Sequence, residues 1–242
     1  MEPKFLIAGD SAISVQLGDA ISLEINQQVR MLCTSLEQDP IDGVMEVVPT
    51  YASLMIHYKP EVIRYESLVE MLKRRVNYMR PTEHAKRKIT EIPICYGGEL
   101  GPDFDDCAAI ENVSAEELIR MHSEPEYYVY MLGFAPGHAY MARFNYPFHF
   151  KRRETPRLKI AARSIVVQEN LSNLIPFEQP CGWNIIGATP LNICDYSKEE
   201  PFLVHSGEWA RYIPVSYRDY QLIRSDVEKG SFQVKTYERT VE

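Results

Sequence analysis

The stretch Met131–Met141, MLGFAPGHAYM, concentrates residue types that can meet a ligand. Gly133 and Gly137 permit positive φ and close backbone approach, and Pro136 fixes φ while removing a donor. The chain must therefore bend sharply here, and the bend carries Phe134, His138 and Tyr140. Backbone and aromatic groups at such a bend can meet a ligand. A tight hairpin corner in a β-domain accounts for the same residues without any ligand. The basic run KRRETPRLKIAAR, Lys151–Arg163, offers a second chemistry, because a guanidinium such as that of Arg157 can hold a carboxylate or phosphate bidentately. A rim salt bridge and a solvated face are its plainer readings. In QPCGW, Cys181 is a lone thiol with no activating histidine nearby in sequence, and Trp183 is either a core aromatic or a ligand platform.

Composition narrows the classes. The formal net charge of −8 argues against a nucleic-acid surface, which needs a clustered excess of Lys and Arg. No apolar run approaches the ~20 residues of a membrane helix, and the start MEPKFLIAGD lacks the features of a secretory leader. A cytoplasmic protein with no membrane partner is expected. The five cysteines form no C-x-x-C pair, and no two histidines stand at i, i+4 spacing, so neither a disulfide framework nor a metal site is expected.

These residues need elements to hold them. Ile13, Val15 and Leu17 alternate, and Ile21, Ile25, Val29, Leu32 and Leu36 then recur at helical spacing. Leu54, Ile56 and Tyr58 followed by Leu68, Leu72 and Val76 repeat that order. Two strand–strand–helix units result, an α+β domain over residues 1–85 with its helices on one side of a sheet. The polar, basic bridge Arg80–Lys88 reads as a linker. Over residues 86–242 the strand-like ITEIPICY precedes two short helices, the second opened by a capping box of Ser114 and Glu117. SIVVQENL, WNIIGATPLNICDY and WARYIPV then predict a closed or nearly closed β-barrel, and SYRDYQLIRSDVEKG a helix capped by Ser216 and Asp219 and ended by Gly230.

The segments ICYGGELGPDFDD, LIRMHSEPEYYVYMLGFAPGHAYM and CGWNIIGATPLNICD, with the opening GDSAISVQLGD and the later ETPRLKI, resemble the family of the 5-oxoprolinase B-type subunit, the kinase inhibitor KipI and subunit 1 of allophanate hydrolase. These share the carboxyltransferase C and D domain. The resemblance implies an N-terminal α+β domain joined to a cyclophilin-like β-barrel whose pocket meets a homologous partner barrel. It also implies a subunit of an ATP-dependent complex that hydrolyses a lactam or urea-like amide. The partners would be a homologous C-type subunit of 5-oxoprolinase and a lactam-utilisation subunit. A KipI-like inhibitor of a histidine kinase, or a member without catalysis, is the other reading. ATP would act at the level of the complex, since the chain contains no G-x-x-x-x-G-K-[ST] loop.

Residue by residue, Phe134, Pro136, Gly137 and Tyr140 match the family motif, whereas His138 stands where relatives usually carry Phe or Tyr. His138 is then either a polar group gained at the pocket or an aromatic substitute. Arg157 matches a Pro-Arg step. Where relatives read like V-P-A-G-S-V-G-I-A-G, this chain has IAARSIVVQE, which puts Arg163, Val166 and a residue at or beside Gln168 where glycines stand. A ligand loop built on those glycines is not expected to survive unchanged. The expected site combines His138 and Arg157 as catalytic candidates with Phe134, Pro136, Gly137, Tyr140, Arg163 and Trp183 as substrate-binding residues.

Overall fold

The computed structural model describes residues 2–79, 86–143 and 147–240. The backbone falls into two compact units, Met1–Ala85 and Lys86–Glu242.

In the first unit the order is β1 (Lys4–Ile7), β2 (Ala12–Gln16), α1 (Leu23–Gln38), β3 (Val44–Pro49), β4 (Ser53–Tyr58) and α2 (Tyr65–Tyr78). The strands form an antiparallel sheet in the order β1-β2-β4-β3. Period-2 alternation sends Ile13, Val15, Leu54 and Ile56 to one face. There they bury against Val29, Leu32 and Leu36 of α1 and Leu68 and Leu72 of α2. Each such side chain contributes about 1.5–3 kcal/mol of burial. Ile21, expected on the apolar stripe of the first helix, is 43% exposed, because α1 begins only at Leu23.

The second unit opens with β5 (Lys86–Tyr96), one 3₁₀ turn (Gly98–Leu100), α3 (Phe104–Glu111) and α4 (Ala115–Ser123). It continues through β6 (Glu126–Leu132), β7 (Ala139–Ala142), β8 (Arg157–Ile160), β9 (Ser164–Gln168), β10 (Leu171–Leu174), β11 (Gln179–Cys181), β12 (Asn184–Ala188) and β13 (Trp209–Pro214). It ends with α5 (Tyr217–Glu228) and β14 (Thr236–Thr240). Strands β12-β9-β10-β7-β6-β13-β5 close into a seven-stranded barrel through the β12–β5 pairing, and β14 flanks β5. The expected combination of an α+β sheet domain and a β-barrel is therefore the fold. Part of the stretch read as a linker, 80–85, lies outside the described residues. Lys86–Lys88 belong instead to β5, where Lys86 pairs with Glu238 of β14 at 2.8 Å.

The barrel interior is packed solid. Ile92, Ile94, Tyr127, Val129, Met141, Ile165, Val167, Leu174, Ile186 and Tyr212 form one cluster with Phe104 and Cys107 of α3 and Leu118 of α4. Among them runs a buried polar chain. His122 of α4 places Nδ1 2.7 Å from the Tyr96 hydroxyl and Nε2 3.1 Å from the Ser172 hydroxyl, which lies 2.9 Å from that of Tyr212.

Candidate functional site

A filled interior moves the site off the axis of the barrel. The outward-facing residues of the barrel wall are therefore the ones that can meet a ligand, and strand alternation selects them. Ala139, Met141, Leu174, Ile165 and Ile186 point inward, so their neighbours Tyr140, Asn173, Val166 and Ile185 point outward. The registers Tyr140↔Asn173, Asn173↔Val166 and Val166↔Ile185 put these four in one row across β7, β10, β9 and β12. Over the wall lies a two-stranded ribbon of β8 and β11, and Ile160 of β8 buries against Val166, Ile175 and Ile185 with Cys181 and Trp183 packed beside them.

His138 sits at the end of the row, 5% exposed, with its ring stacked on Tyr140 at 4.7 Å and 10°. The β6–β7 turn positions it. Gly133 N–H donates to the His138 carbonyl at 3.1 Å, and His138 N–H to the Ala135 carbonyl at 3.0 Å. Gly137 holds φ +77°, and a Cβ there would stand 3.0 Å from Cys194 Cβ and 3.2 Å from Phe202 Cδ1, so this turn requires glycine. Phe134 holds φ +68°, costly for an aromatic residue, with its ring 70% exposed and edge-on to His138 at 5.7 Å. An open concavity of about 330 Å³ lies against Leu132, Phe134, Pro136, Gly137 and Phe202.

Both ring nitrogens of His138 meet carboxamides. Asn173 Nδ2 is 3.2 Å from Nε2, and Gln179 Nε2 is 3.0 Å from Nδ1. His138 thus fills the place of an aromatic ring, stacked on Tyr140, while both of its nitrogens meet polar side chains. Burial pushes the His138 pKa down to about 4, against a smaller upward pull from Gln179, so the ring is neutral at ordinary pH. Burial likewise raises the Tyr140 phenol and the Cys181 thiol. The immediate surroundings of His138 are thus polar but uncharged, and Cys181, its thiol raised by burial, is no activated nucleophile.

The arginines have other work. Arg157 donates through Nη1 and Nη2 to both Asp103 oxygens, at 2.8 and 2.7 Å, and Arg153 Nη1 donates to Asp103 Oδ1 at 2.8 Å. Ile185 N–H donates to Asp103 Oδ2 at 2.8 Å. Arg157, for which the sequence leaves both an anion-holding role and a salt bridge open, turns its fork to a buried carboxylate that ties the ribbon to the barrel wall. The same pairing explains why the basic run is not simply a solvated face. Arg163 adopts φ +71° between β8 and β9, and its backbone bonds Ile175 and Thr189 at the barrel end. Glu169, at φ +52°, repeats that conformation. Two positions matched to family glycines therefore keep a glycine-like backbone under other side chains, while Val166 fills its space with a packed isopropyl group. Trp183 packs at the margin of the ribbon cluster, its N–H 3.3 Å from Cys181 Sγ.

The structure thus gathers Phe134, Pro136, Gly137, His138 and Tyr140 at one turn and Trp183 under the adjoining ribbon. Arg157 is held by an internal pair. Asn173, Gln179 and Asp103 are the residues that sequence reasoning missed. Among the described residues no group of three or more His, Cys, Asp or Glu is placed to hold a metal ion, and no helix is long and apolar enough to cross a membrane.

A seven-stranded barrel preceded by a four-stranded sheet with helices on one face is the architecture of a carboxyltransferase-type domain. Residues 3–204 match the family described as carboxyltransferase domain, subdomain C and D, and the chain belongs to it. It is 32% identical over 228 residues to the 5-oxoprolinase B-type subunit of Bacillus subtilis (strain 168), covering 90% of this chain and 95% of that one. With the corresponding B-type subunit of Escherichia coli O157:H7 it shares 31% identity over 209 residues, 86% of this chain and 94% of that protein. Among solved structures, urea amidolyase of Kluyveromyces lactis superposes with a TM-score of 0.83 at 17% identity, covering 99% of this chain, a likeness of fold. The chain spans 16% of that protein's length.

Proposed function

We propose that this chain is one subunit of an ATP-dependent, 5-oxoprolinase-type complex that opens a lactam or urea-like amide, working with a homologous carboxyltransferase-type partner. The observation that carries the reading is end-to-end similarity to the two B-type subunits, which covers 95% and 94% of their lengths. The uncharged, amide-lined ground around His138 supports a neutral amide as the group received. Nucleotide chemistry belongs to a partner in this reading, since the sequence holds no P-loop. The test is ADP release that depends on 5-oxoproline, measured with the chain alone, with a homologous C-type subunit, and with a lactam-utilisation subunit added. Turnover is expected only from the assembled set, with co-elution of the two homologous subunits in size-exclusion chromatography. Turnover by the isolated chain overturns the division of labour. No turnover in any combination, together with inhibition of a histidine kinase's autophosphorylation, transfers the protein to the regulatory reading.

A further inference from the structure

The two carboxamides beside His138 carry a mismatch that points outward. A neutral imidazole has one N–H and one lone pair, so it can accept a hydrogen bond from only one of the two NH₂ groups placed against it. The other carboxamide must turn its oxygen to the ring N–H, a half-turn about its last bond that leaves its shape unchanged. Asn173 and Gln179 are 2% and 8% exposed, and Asn173 Oδ1 and Gln179 Oε1 are both buried without a hydrogen-bond partner. Whichever amide turns, one unpartnered carbonyl and one unpartnered NH₂ remain, flanking the same ring. Leaving two such groups buried and unpaired is costly, and a ligand with the complementary pair removes the penalty.

We infer that Asn173 and Gln179 form a recognition pair for a cis-amide, the N–H and C=O that a lactam or urea presents side by side, with His138 holding the pair in opposite senses. The carbonyl of the pair accepts from the ligand N–H, and the NH₂ donates to the ligand carbonyl. Charged surroundings would favour an anion instead, but the side chains set directly against the His138 ring are the neutral Asn173, Gln179, Tyr140 and Phe134, and Arg157 and Arg153 are committed to Asp103. The way in is the Phe134 turn, where the ring lies edge-on over His138 beside the open concavity and the backbone is held in the left-handed region. A backbone change at Phe134 that returned its φ to negative values would also carry the ring away from His138. This assignment rests on the amide-hydrolase reading above for its substrate class.

The test uses the full chain with 2-pyrrolidone and N-methyl-2-pyrrolidone as probes, followed through the imidazole nitrogen resonances of His138 in ¹⁵N-histidine-labelled protein. We expect 2-pyrrolidone to shift them with an affinity at least ~10-fold above that of the N-methyl analogue, which lacks the donor. The variant Asn173→Leu/Gln179→Met should lose the response. Equal responses to the two probes, no response to either, or a response that survives in the double variant would overturn the pair. The probe comparison needs only wild-type protein, so it stands if the double variant does not fold. Selective pyrrolidone binding without turnover by any assembled complex would sink the hydrolase reading and keep the pair. Turnover by a complex carrying the double variant at the wild-type rate would do the reverse.

Discussion

His122 and His138 are buried in the same domain, on opposite sides of the barrel wall, and their partners differ in kind. The ring of His122 meets two hydroxyls, of Tyr96 and Ser172, which rotate to donate or accept as either tautomer requires. Every member of that chain is satisfied, and the ring also stacks on Tyr212 at 4.5 Å. His138 meets two carboxamides, whose donors and acceptors are fixed at opposite ends, so satisfying the ring leaves polar atoms over. A closed network fixes a core, whereas one with loose ends leaves costly polar atoms for an outside group to satisfy. Under the inferred recognition pair, the contrast assigns ligand binding to the wall and stability to the interior.

That division is broken most severely at His122. His122→Leu removes the link between Tyr96 and Ser172 and replaces an aromatic stack with a shape that fits it poorly. We expect a loss of about 3–5 kcal/mol in urea or guanidinium unfolding, with no change in the 2-pyrrolidone response per folded molecule. A loss under about 1 kcal/mol would mean that the interior chain is not what holds the barrel.

His138→Phe sharpens the comparison from the other side. Relatives usually carry a ring there, so a residue used only for packing would be replaced almost silently. Here the substitution strands both carboxamides, and we expect a loss of about 1–3 kcal/mol at neutral pH. The pH dependence separates this from simple mispacking. An unfolded imidazole takes its proton near pH 6.5, whereas burial holds folded His138 down at about 4 and His122 well below its ordinary value. Between those limits the unfolded chain binds more protons, so the stability is complete above about pH 6.5 and falls as acid is added. Removing His138 should flatten that fall by on the order of 2–3 kcal/mol between about pH 6.5 and 4, leaving the part due to His122. An unchanged acid limb would place the His138 proton elsewhere.

Much of this was legible in the residues, and the reasons for the remainder are physical. The alternation of Ile13 with Val15 and of Leu54 with Ile56 marked out the first sheet, because a one-sided sheet must write its buried face at period two. Ser114 and Ser216 marked their helices, and each accepts the expected backbone N–H at 3.2 and 3.1 Å. Glu117 departs from the capping box, since its carboxylate pairs with Arg120 instead. Gly133 and Gly137 announced the turn. Closure of the barrel was less visible, because β5 pairs in parallel with β13 across the whole length of the domain and shares its other edge between β14 and β12. The commitment of Arg157 was hidden for the same reason, its partner Asp103 standing 54 residues earlier. Asn173 and Gln179 are ordinary polar letters in sequence, and only burial beside His138 gives them meaning.

The smallest expected effect tests whether the wall keeps its loops for function or tolerates them as history. Arg163 and Glu169 occupy left-handed backbone where the family resemblance led to glycine, at φ +71° and +52°. A side chain in that region costs roughly 1 kcal/mol relative to glycine, while glycine returns part of this by loosening the unfolded chain. Glu169 is exposed, so Glu169→Gly should stabilise by a few tenths to about 0.5 kcal/mol with nothing lost in packing. Arg163 is half-buried, with its Nε covered and lacking a hydrogen-bond partner, so Arg163→Gly relieves both the backbone and a poorly served donor. We expect it to stabilise by about 0.5–1 kcal/mol, more than Glu169→Gly, as a rise in the melting temperature measured calorimetrically on the three proteins side by side. If Arg163→Gly instead destabilises while Glu169→Gly does not, the Arg163 side chain contributes to the barrel end more than its backbone costs, and its retention would then be a matter of stability rather than ligand binding.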